Sequence, residues 1–98
     1  MRLDLQPGDD AAVAARAAGA ESVVLVLAEP PAGFVESVLR PLALALAPRR
    51  VNAVLGSTGD VAAVVAFLEQ ARFTTGQAVV LDQPRVRPQA PTDSITNR

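Results

Sequence analysis

The sequence predicts an α/β fold, an open parallel sheet of four strands with three helices in βαβαβαβ order over residues 1–82. Three observations carry this. Ser22–Ala28 (SVVLVLA) and Ala78–Leu81 (AVVL) are short, unbroken apolar runs, the pattern of parallel strands buried on both faces. Val61, Val64, Val65 and Leu68 fall at i, i+3, i+4 and i+7, one stripe of a 3.6-residue helix. Turn residues and capping residues separate the strands from the helices, so the two kinds of element alternate along the chain.

Taken in order, Leu3-Asp4-Leu5 reads as a first strand ended by the turn dipeptide Pro7-Gly8. Asp9 or Asp10 caps a helix that runs to about Ala18 and stops at Gly19. Val13 is the only large apolar residue of that helix, so it has high propensity and little to bury. Ser22–Ala28 should lie at the centre of the sheet. A second helix covers Phe34 to Ala47, with Phe34, Val38, Leu42 and Leu46 on one stripe. Pro41 inside it removes a backbone donor and forces a kink or a restart. Arg49 to Gly56 is the third strand, and Asp60 or Thr58 caps the third helix. Ala78–Leu81, coming last, should be an edge strand. Right-handed crossovers between strands laid down in one direction place all three helices on one face. The other face then needs a second chain to cover it.

At 98 residues the chain makes one domain, with Gln83–Arg98 as an extended tail open to trypsin at Arg85 and Arg87. The formal net charge is −1 and the arginines are scattered, which points away from nucleic acid. No apolar run reaches a membrane span, and the acidic N-terminal stretch is unlike a signal peptide, so the expected location is cytoplasmic. There is no Cys, His, Tyr, Trp or Lys. Disulfide, thiol, imidazole and Schiff-base chemistry are thereby excluded, as is a zinc site of the usual ligands. Neither a metal nor a cofactor is expected.

The stretch from Asp60 to Asp82 carries a resemblance. Asp60-Val61-Ala62 through Phe67-Leu68, then Thr75-Gly76-Gln77 and Asp82, resemble the closing helix and strand of the short-chain dehydrogenase/reductases. Leu44 to Val54 (LALAPRRVNAV) resembles the entrance to their sixth strand. The resemblance implies a small Rossmann-like sheet. It also implies a Tyr-x-x-x-Lys pair on the helix before the "RVNAV" strand, and the family's spacing puts these near Ala28 and Ala32. Without the tyrosine to supply a proton and the lysine to lower its pKa, the acid/base step is lost. The family's glycine-rich dinucleotide turn has no counterpart here either.

One loop retains a binding pattern. Gly56, Ser57, Thr58 and Gly59 join a strand to a helix N-terminus, where backbone N–H groups can face an anion. A plain capped turn explains the same residues more simply. An alternative alignment makes Ser57 the family's catalytic serine, inert without a base. Arg49 and Arg50 could hold phosphate, though such pairs are more often solvated. Asp4, Asp9 and Asp10 could hold a cation, but capping and solvation account for them as well.

The function expected from these residues is that of a non-catalytic, short-chain dehydrogenase/reductase-like subunit, a homodimer or a hetero-oligomer with a full-length reductase. The family's two-fold contact implies that Ala63, Phe67, Phe73, Val79 and Leu81 form the interface. The competing reading is an NAD(P)-dependent, ketoreductase-type enzyme whose cofactor site and Tyr/Lys come from a partner chain.

Overall fold

In the computed structural model, residues 1–81 are described. Asp82 and the expected tail, Gln83–Arg98, lie outside them. The elements are β1 (Arg2–Leu5), α1 (Ala11–Ala18), β2 (Ser22–Leu27), a π-helical turn (Val35–Leu39) running into α2 (Arg40–Leu46), β3 (Arg50–Leu55), α3 (Val61–Gln70) and β4 (Ala78–Val80). The strands form one sheet in the order β1-β2-β3-β4, every pair parallel. This is a small Rossmann-like α/β fold, with β2 in its interior and β4 at an edge, as the sequence implies. None of the helices among the described residues is long and apolar enough to cross a membrane.

The pleat of the central strands divides the core. Val23, Leu25 and Leu27 of β2 and Val51, Ala53 and Leu55 of β3 share one face with Ala11 and Ala15 of α1 and with Leu39, Leu42 and Leu46. Val24, Val26 and Val54 point the other way, against Val65 and Leu68 of α3. The expectation that all three helices share one face is therefore corrected. The sheet steps in one direction throughout, yet α1 and α2 pack on one side and α3 on the other. The β3–α3–β4 crossover thus has the opposite hand to the first two. Its physical reason lies in the second face of β2 and β3, where Val24, Val26 and Val54 are apolar and need cover. Gly56 (φ 111°) and Gly59 (φ 79°) give the chain the backbone freedom to cross the top of the sheet at that point.

At β1 the rest of the second face is polar. There the strand presents Arg2 and Asp4, an exposed ion pair at 3.0 Å, and not apolar surface. At the opposite edge the cover is thin. Ala78 and Val79 are half-buried and Val80 is 49 % exposed, so β4 is not buried on both faces as its apolar run suggests.

Local chemistry accounts for the helix ends. The Asp10 carboxylate caps α1, accepting from the N–H groups of Ala12 and Val13, and Gly19 follows the last turn. Asp60 caps α3 by accepting from Ala63 N–H at 3.0 Å. Pro41 expresses its missing donor as a widened turn, in which Arg40 N–H bonds to Val35 O, five residues back. Asp60→Ala should cost about 0.5–2 kcal/mol in urea unfolding. Val13→Glu should stay within about 0.5 kcal/mol, because Val13 is 63 % exposed and α1 packs through Ala11 and Ala15 instead.

Candidate functional site

Parallel α/β sheets present their working edge at the carboxyl ends of the strands, where loops leave in opposite directions. Here the loop after β2 leads to the α1/α2 face and the loop after β3 to the α3 face, so β2 and β3 flank such a divide. Beside it, above the ends of β1 and β2, lies a cleft of about 640 Å³. Leu5, Leu27, Phe34 and Val38 form its floor, and Asp9, Asp10 and Glu29 stand in its wall. Ala28 lines the same cleft and Ala32 is exposed on the loop beyond it. The family's spacing puts a tyrosine and a lysine near these two positions, but both lie on the loop after β2 and not on the helix before β3 that the resemblance implies.

The Gly56–Gly59 loop is committed to holding the fold. Gly56 N–H donates to Leu27 O at 2.8 Å, and the Thr58 hydroxyl donates to Leu81 O at 3.0 Å. Thr58 is thus not the helix cap; Asp60 takes that place and sets a carboxylate at the N-terminus of α3. An anion approaching this loop meets a negative charge already in position.

Arg49 and Arg50 are half-buried and spend their guanidinium groups on backbone carbonyls. Arg49 donates to Ala20 O at 2.9 Å and Ala15 O at 2.7 Å, closing the C-terminal end of α1. Arg50 donates to Glu69 O at 3.3 Å near the end of α3. Both are basic side chains on helix C-terminal carbonyls, a favourable place for positive charge. The acidic residues also have structural partners: Asp4 pairs with Arg2, Asp9 accepts from Gln6 N–H, and Asp10 caps α1.

On the other side, Ala63 and Phe67 lie on the outer flank of α3 and are exposed, Phe67 to 67 % and the neighbouring Phe73 fully. Phe67, Phe73 and the half-buried Val79 line a shallow groove of about 420 Å³ beside β4. Leu81, also half-buried, packs against the α3 side of the core.

A family model described as short chain dehydrogenase-like protein matches residues 8–81. The chain belongs to that family. No curated protein and no solved structure matches it.

Membership gives meaning to two pieces of family wording that the structure brings together. Asn52, in the "RVNAV" strand, is a fully buried polar side chain. Its amide donates to Thr74 O at 2.9 Å and its carbonyl accepts from Gln77 N–H at 3.1 Å. Thr75 Oγ1 accepts from Val51 N–H at 3.0 Å, and Gly76 N–H donates to Val51 O at 2.7 Å. The Thr75-Gly76-Gln77 turn is thus stitched to β3 on both backbone and side-chain bonds, and this sets β4 in register. Reading the sequence gave Asn52 no role. Its only signal was an amide in the middle of an otherwise apolar strand.

Proposed function

We propose that this family member is non-catalytic and works by association, pairing through α3 and β4 with a second copy of itself or with a full-length oxidoreductase of the family. The observation that carries the reading is chemical. The 98 residues hold no tyrosine, lysine, histidine or cysteine, so the family's proton-transfer pair, which its spacing puts near Ala28 and Ala32, has no counterpart anywhere in the chain. The exposed Phe67 and Phe73 support the association half, since two aromatic rings beside one groove offer apolar area to a partner.

The competing reading, a ketoreductase-type enzyme completed by a partner chain, draws on the open cleft at the strand ends. Its acidic wall speaks against a pyrophosphate there, because three carboxylates repel the cofactor's charge. The purified chain, assayed for NADPH oxidation over a panel of ketones, should stay at background. Titration calorimetry should give no NADPH affinity in the micromolar range. Turnover by the homogeneous chain would overturn the non-catalytic reading.

A further inference from the structure

The cleft above β1 and β2 has a shape and a charge that the association reading leaves unused. Its volume, about 640 Å³, falls in the range of small-molecule sites. The floor is apolar and belongs to the core, with Leu5, Leu27 and Phe34 each under a tenth exposed. The wall carries Asp9, Asp10 and Glu29 and no basic residue. The two helix N-termini nearby oppose this charge, at roughly half a positive charge each. Against three carboxylates that leaves the cleft at roughly two negative charges. Asp9 and Asp10 keep lone pairs beyond the single oxygens they give to the backbone. Glu29 has no hydrogen bond or ion pair among the described residues.

We propose that this cleft binds a small amphipathic cation, an amine with an apolar body, with its ammonium toward Glu29 and Asp9 and its carbon skeleton on Leu5, Leu27 and Phe34. A carboxylate or phosphate of the same shape is rejected by the wall. Apolar contact and charge both act, and the selectivity comes from the charge.

Phenethylamine is a suitable probe, with 3-phenylpropionate as its anionic counterpart of similar shape. In amide-resolved NMR titrations of the full chain, phenethylamine should give saturable shifts at Gln6–Ala11 and Ala28–Val38. 3-Phenylpropionate should give none there. Glu29→Gln, which disturbs no bond of the fold, should weaken phenethylamine binding about two- to fivefold. Asp9→Asn keeps an oxygen for Gln6 N–H, and combined with Glu29→Gln it should weaken binding further. Equal saturation by 3-phenylpropionate overturns the proposal. So does an amine response that fails to saturate, or one that both substitutions leave unchanged. The dispersion of the spectra shows in the same experiment that the variants are folded.

Discussion

Asn52→Leu should lower the unfolding free energy by about 1–3 kcal/mol, the largest loss expected from any single polar substitution here. Leucine has nearly the shape of asparagine, so the change opens no large cavity. It removes the partners of two groups, the Thr74 carbonyl and the Gln77 N–H, beside a side chain with no exposure to solvent, although Thr74 itself is half-buried and Gln77 exposed, so that water can replace part of the loss. Each unsatisfied buried group costs about 1–3 kcal/mol. A domain of this size has about 5–15 kcal/mol in all, so the variant should stay folded at room temperature with a lower urea midpoint. The damage should be local in origin, because the 74–77 turn is what lays β4 against β3. Hydrogen exchange should therefore show loss of protection first at Gln77–Val80, ahead of β1 and β2. Urea unfolding followed by circular dichroism checks the magnitude. A loss under about 1 kcal/mol would mean that the turn is held by Thr75 and Gly76 alone.

How much of this was legible follows from range. Ser22–Ala28 could be read as an interior strand because burial on both faces writes itself as a continuous apolar run, whereas Arg49–Gly56, broken by Asn52, could be read only as a strand. The stripe through Val65 and Leu68 gave α3 for the same local reason. Ala78–Leu81 is worded like an interior strand but sits half-buried at an edge, since a run of valines does not say how much of it a helix covers. The face on which α3 lands was not legible either. Handedness of a crossover is decided by the loop at Gly56–Gly59 and by which face lacks cover, and periodicity carries neither. Arg49 and Arg50 looked like a basic pair because their acceptors, Ala15, Ala20 and Glu69, are 34, 29 and 19 residues away. At the cleft, the missing tyrosine and lysine could be read directly. The gathering of Asp9, Asp10 and Glu29 over one apolar floor needed the fold.

Phe67→Glu should dissociate the assembly while leaving the fold intact. The ring is 67 % exposed on α3, beside the fully exposed Phe73 and the groove along β4, whereas the stripe that holds α3 to the sheet runs through Val65 and Leu68. A charge at position 67 thus meets solvent in the free chain and apolar surface in the complex. Loss of one aromatic contact removes about 1.5–3 kcal/mol. In a two-fold contact each substitution acts twice, which gives about 3–6 kcal/mol, or a weakening of the dimer by roughly 10² to 10⁴. Val13→Glu makes the same chemical change at an equally exposed residue on α1, on the opposite face of the sheet, and should leave association untouched.

Sedimentation velocity on the wild type, Phe67→Glu and Val13→Glu tests the association claim most directly. The wild type and Val13→Glu should sediment as dimers and Phe67→Glu as a folded monomer. A monomeric wild type would contradict self-association and leave only pairing with a full-length reductase, and a dimer that Phe67→Glu leaves intact would contradict an interface on α3 and β4.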